Sequence, residues 1–179
     1  MTMAAKWKVY WGVVALSLAL YFTMIFWSLP LISSMAGGLV PFDMRPGGYT
    51  HVQAQVFLTA LSAEGAQFYL NVQQLLDAAY PAALAIVLTF GALGMAAGRS
   101  KWLGRIAAIA AVGGAAFDYL ENAAVKMLLL AGPDGISAEA VSRASRWTLY
   151  KSVLTTVSMT IILILLIWAL VQWVKRRQT

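Results

Sequence analysis

Residues 161–167 read Ile161-Ile162-Leu163-Ile164-Leu165-Leu166-Ile167, with no polar side chain on any face of a helix. A helix on the surface of a soluble protein keeps a polar stripe, and a transmembrane β-strand alternates along its length. A run that is apolar all round, extending over about 148–174, therefore predicts a helix crossing a bilayer. Three further blocks pass the same test of ~20 predominantly apolar residues, over about 9–29, 80–97 and 106–130. The whole composition agrees: 61% of the 179 residues are hydrophobic and 11% charged, against roughly 45–50% and about 25% in ordinary soluble domains. A disordered tail, a coiled coil and a water-soluble enzyme of ordinary design are excluded. So are a disulfide, a thiolate metal site and a cysteine nucleophile, because the chain has no cysteine. The reading is an all-α integral membrane four-helix bundle, one membrane domain over 1–179, with the loop 30–79 forming a short helical cap on the outer side.

Lysine and arginine resist translocation, so their positions set the orientation. Lys6 and Lys8 precede the first block, Arg99, Lys101 and Arg105 lie between the second and third, and Lys175, Arg176 and Arg177 follow the fourth. On the other side stand Arg45, Arg143 and Arg146. The acidic residues Asp43, Glu64, Asp77, Asp118, Glu121, Asp134 and Glu139 all fall there or within the third span. Both termini are expected in the cytoplasm. The first block is longer than the ~7–15-residue apolar core of a signal peptide, which makes it an uncleaved anchor. The formal charge of +6 is accounted for by membrane topology and carries no nucleic-acid pattern.

Within the loop, Ser33–Thr50 is rich in glycine and proline and reads as turns. Thr50-His51-Val52-Gln53 matches a capping box, and Val52, Val56, Phe57 and Leu61 follow at helical spacing. Ser62 is placed to cap a second helix, on which Phe68, Leu75, Leu76 and Ala79 form an apolar stripe and Gln67, Asn71, Gln74 and Asp77 a polar side. Pro81 suits the first helical turn of the span that follows or a kink into it.

The chemistry is concentrated in Phe117-Asp118-Tyr119-Leu120-Glu121-Asn122 of the third span. Residues three and four apart share a helix face, so Asp118 adjoins Glu121 and Asn122. An outer end near Leu130 buries Glu121 by on the order of 13 Å and Asp118 by about 18 Å. An isolated charge there costs at least ~2.5–3.5 kcal/mol, so such residues are functional candidates by default, set against a role as polar glue holding spans three and four in register. Lys151 of the fourth span is the expected ion-pair partner of Glu121, with Asp118 left to Thr155, Asn122 or water. Upstream on the same face, Ala107, Ala111, Gly114 and Ala115 form a small-residue packing seam. Lys126 is expected to snorkel outward.

Catalytic constellations are lacking. His51 is the single histidine and has no second ligand near it in sequence, so no metal site is predicted. No G-x-S-x-G elbow, H-E-x-x-H motif or phosphate loop occurs. No catalytic residue is assigned and no cofactor is expected. The order Gly48-Tyr49, Gly65, Tyr69, Asp77-Ala78-Ala79-Tyr80-Pro81, Asp118-Tyr119-Leu120-Glu121-Asn122 and Lys151 resembles a group of small bacterial four-span membrane proteins of uncharacterised activity. That resemblance implies a bacterial inner-membrane setting and one outer-side unit, without a catalytic role. The expectation is a membrane protein whose outer-leaflet pocket between spans two, three and four binds a lipid or small amphiphile. Its candidate ligand residues are Asp77, Asp118, Glu121, Asn122, Lys151 and Thr155. The alternatives are an accessory or assembly subunit contacting other membrane subunits, and a lipid-modifying enzyme with Asp118 or Glu121 as base.

Overall fold

Helices of 33, 34, 35 and 40 residues, each with a long apolar window, run through the protein. In the computed structural model, which describes residues 2–177, these are α1 (Met3–Met35), α3 (Ala63–Ala96), α4 (Lys101–Gly135) and α5 (Ala138–Arg177). The shorter α2 (His51–Ala60) lies in the connection between α1 and α3, and no strand occurs among the described residues. α4 packs between α3 and α5, α3 also touches α5, and α1 lies against α3. All four long helices are long and apolar enough to cross a membrane, and the architecture is that of an integral membrane four-helix bundle.

At 1.5 Å per residue α1, α3 and α5 are about 50–60 Å long, beyond the ~40–45 Å of a bilayer with its headgroups, and α4 bends at Gly132 (φ 68°, ψ 178°), just before Pro133. The surplus length carries the cap. There the buried side chains are large: Phe42 is fully enclosed, its ring 4.8 Å from that of Tyr49 and 4.9 Å from that of Phe57. Ile32 of α1, Val125 and Leu128 of α4 and Val141 of α5 close the same core. Towards the chain termini the seams narrow to small residues, with Ala107, Ala111 and Gly114 buried in α4. At Gly114 a Cβ would come within 2.7 Å of the Thr155 hydroxyl. The two regions reflect two solvents. Water drives large apolar groups into the cap, whereas helices in lipid gain from close backbone approach.

The cap is tied down locally and at a distance. Thr50 Oγ1 accepts from Gln53 N (3.2 Å) and Gln53 Oε1 from Thr50 N (2.9 Å), which completes the capping box. Ser62 Oγ caps α3 by accepting from Gly65 N at 3.0 Å. His51 lies with Nε2 3.1 Å from the Ile136 carbonyl, joining α2 to the short α4–α5 connection. Lys126 is exposed.

Two sequence-based expectations are corrected here. The second cap helix and the second span are one rod: α3 continues from Ala63 through a π-helical turn at Tyr69–Gln73, and of the two places open to Pro81 the first turn is ruled out, since the proline stands inside the rod. The buried face coincides with neither the apolar stripe nor the polar side: Leu75 and Ala79 are exposed and Phe68 and Leu76 half-buried, whereas Gln67 and Asn71 are exposed and only Asp77 of the polar set is buried. The buried positions are Gly65, Tyr69, Gln73, Asp77 and Pro81, while Leu75 is 71% exposed. In hydrocarbon the apolar side chains lose nothing by facing outward, and the polar ones must find partners within the bundle.

Candidate functional site

Pro81 has no N–H, so it cannot donate to the carbonyl four residues back in its helix, that of Asp77. The Asn122 side chain of α4 supplies that donor, with Nδ2 3.1 Å from Asp77 O. One residue on, Tyr119 OH donates to Ala78 O at 2.9 Å. α4 thereby fixes the stretch of α3 that carries Asp77, and Asn122 holds the site together through backbone.

Around this joint, five segments bring polar side chains to one place. α4 presents Asp118 and Glu121, α5 presents Thr148 and Lys151, and α3 presents Tyr69, Gln73 and Asp77, four residues apart and so on one face. The cap adds Asp43 and Tyr49, and α1 adds Ser28. Lys151 Nζ lies 3.1 Å from Asp118 Oδ1 and pairs directly with Glu121 Oε2. The other Glu121 oxygen accepts from Thr148 Oγ1 at 2.6 Å. Tyr69 OH donates to Asp43 Oδ2 at 2.5 Å. Ser28 Oγ donates to Gln73 Oε1 (2.6 Å), and Gln73 Nε2 to Asp77 Oδ2 (3.0 Å). Ser28 and Gln73 are each the last residue of a π-helical turn, Met24–Ser28 in α1 and Tyr69–Gln73 in α3. Such turns widen a helix and recur at functional sites.

Four carboxyl groups thus gather around one ammonium. Asp43, Asp118 and Glu121 act electrostatically on Lys151, and Asp77 lies within reach of Asp43, Asp118 and Lys151. The group is deeply enclosed: Glu121, Gln73 and Thr148 are fully buried, and Asp77 and Asn122 are each 7% exposed. The Tyr49 phenol, in the cap, is pushed up beyond its ordinary pKa by burial and then by the Glu121 and Asp43 carboxylates. It therefore keeps its proton and remains a donor, beside the Thr148 hydroxyl. Asn122 Oδ1 and Asp43 Oδ1 are buried and unpartnered. The cluster comes nearest the surface at Asp118 and Lys151, whose side chains keep 16% and 17% exposure. Tyr80 lies within electrostatic reach of both and stacks on Tyr21 of α1, ring centroids 6.2 Å apart.

Five of the six residues singled out from sequence, Asp77, Asp118, Glu121, Asn122 and Lys151, meet in this cluster. Thr155 stands one turn further along α5, its hydroxyl against Gly114. The expected division of partners is corrected: Lys151 is shared by Asp118 and Glu121, and Asp118 pairs with it rather than with Thr155. Geometry allows this because both acids lie one helical turn apart on the face of α4 turned to α5. Asp43, Gln73 and Thr148 were not singled out, although Asp43 is one of only seven acids in the chain. Thr148 carries no sequence signal, since a threonine near a span end is ordinary. Comparison with protein-family models, curated proteins and solved structures returns no match.

Proposed function

We propose that this integral membrane protein binds the polar head of a lipid or small amphiphile at the cluster beneath its cap. The apolar remainder of the ligand lies along the flank of α1, α3 and α5, beside Tyr21 and Tyr80. One observation carries the reading: the cluster is unbalanced. A polar lock between helices closes its hydrogen bonds and pairs its charges, because an unmatched buried group is costly. Here Lys151 is the one cation paired within a cluster of four carboxyl groups, Asp43, Asp77, Asp118 and Glu121, and the buried oxygens Asn122 Oδ1 and Asp43 Oδ1 have no partner. Carboxylates, an amide oxygen and a phenol together suit a head rich in donors, such as hydroxyl or ammonium groups.

The distribution of lysine and arginine supports a setting with both termini in the cytoplasm and the cap outside. The resemblance to small bacterial four-span proteins supports the inner membrane. A second reading, an accessory subunit of a larger membrane complex, draws on the direct Glu121–Lys151 pair and the complete burial of Glu121, which suffice to lock α4 to α5.

Native mass spectrometry of the gently extracted protein distinguishes the two. A retained small amphiphile that is lost in Asp118→Asn and Tyr49→Phe, but kept in Arg143→Gln on the outer surface, supports the binding reading. Stoichiometric protein partners with no small-molecule adduct overturn it in favour of the accessory subunit.

A further inference from the structure

At the end of the bundle remote from the cap, the turn that follows α3 meets the last turns of α5 and leaves a groove of about 460 Å³. Arg99 stands on the wall formed by the turn, and Trp168, Gln172, Trp173 and Arg176 on the wall formed by α5. We infer that this groove binds the phosphate of an anionic membrane lipid, held between Arg99 and Arg176.

Both cations are carried at the rim of the groove. Arg99 Nη1 donates to the Met95 carbonyl at 2.8 Å, which orients the guanidinium and leaves its remaining N–H groups free. Arg176 is carried on the terminal turn of α5, where a cation also complements the helix dipole. Its neighbour Arg177 stacks over Trp173, 3.8 Å from the ring centroid, and so steadies the indole that walls the groove. Trp168 and Trp173 are 38% and 52% exposed, the amphipathic rings that favour headgroup depth. Gly98 (φ 74°) makes the turn and keeps the floor free of a side chain. The guanidinium fork matches phosphate oxygens in pairs, and two forks facing one groove suit a single phosphodiester better than a dispersed surface charge.

Basic residues at a cytoplasmic membrane face also attract anionic lipid diffusely, and that attraction depends little on which cation is removed. The groove predicts a different pattern. The full-length protein is reconstituted in phosphatidylcholine bilayers containing phosphatidylglycerol, and the lipid retained is read by native mass spectrometry. Phosphatidylglycerol is expected to be retained over phosphatidylcholine. Arg99→Gln and Arg176→Gln are each expected to lower that retention roughly five-fold, as befits one cation at the membrane surface, and Lys8→Gln at the same end to leave it unchanged. An equal loss with Lys8→Gln, or equal retention of phosphatidylcholine, overturns the inference. Displacement of the lipid by inorganic phosphate also overturns it, pointing to a soluble phosphate ligand. Should Arg99→Gln disturb the turn and lower thermal stability, Arg176→Gln, on an exposed helix end, decides alone. The site is at the opposite end from the polar cluster and stands or falls independently of it.

Discussion

Asn122 donates to the main-chain carbonyl of Asp77 at 3.1 Å, the acceptor that Pro81 leaves without its helical donor. The two positions are complementary: a proline removes a hydrogen bond within α3, and an amide on α4 replaces it. Asn122→Ala is expected to lower thermal stability by about 0.6–1.7 kcal/mol, the range of hydrogen bonds within membranes. In a Pro81→Ala background, where residue 81 regains its N–H, the same change costs measurably less. An equal cost in both backgrounds, read from thermal unfolding in detergent, means that the amide does not serve that carbonyl.

Lys151 binds two acids, so its loss differs from the loss of either. Lys151→Met strands Asp118 and Glu121 together, whereas Glu121→Gln leaves Asp118 paired at 3.1 Å. Breaking a buried pair costs ~3–5 kcal/mol in soluble interiors. Lys151→Met is expected to fall at that level and Glu121→Gln below it, with the double variant recovering part of the Lys151→Met loss. Unfolding temperatures that show no recovery in the double variant refute the pairing. Return of stability without return of a bound amphiphile separates a binding role from a purely structural one.

Gly48 has φ 81° and its missing Cβ would strike the Ser145 side chain, the same hydroxyl that accepts from Tyr49 N at 2.8 Å. Gly48→Ala therefore combines a left-handed backbone with a collision, and a cost of about 1–3 kcal/mol is expected. Limited proteolysis of residues 36–62 is expected to speed up. Gly47→Ala, with open space at its Cβ and no positive φ, serves as the silent control. Equal protection of the cap in both variants contradicts the account.

Topology is open to a clean test because the chain has no cysteine. A cysteine at Gly47 is expected to react with a membrane-impermeant thiol reagent in intact cells, and one at Ser100 to be shielded. The reverse pattern inverts the protein and moves the polar cluster to the cytoplasmic leaflet.

Several features were legible in the residue order because they depend on neighbours in the chain. The four spans follow from apolar runs that no other solvent accommodates. The capping box at Thr50 and Gln53 closes within one turn, and the shared face of Asp118, Glu121 and Asn122 follows from helical spacing. The buried face of the 63–79 segment was not legible, because a stripe has meaning only once its solvent is known. With lipid outside, Leu75 turns outward and Gln73 and Asp77 turn in.

By itself, then, the sequence determined the class, the number of crossings and which residues carry charge into the bundle, all consequences of local periodicity and transfer free energy. Tertiary structure alone decided the partners. Asp43 reaches Tyr69 across 26 residues of chain, Thr148 reaches Glu121 across 27, and Ser28 reaches Gln73 across 45. Such contacts arise from helix packing and from π-helical turns that rotate one face against another, and neither is encoded in the spacing of residues along a single helix. The same packing turned a set of isolated polar residues into a site. In a bilayer a buried carboxylate has no water to fall back on, and what surrounds it in space sets its cost and its use.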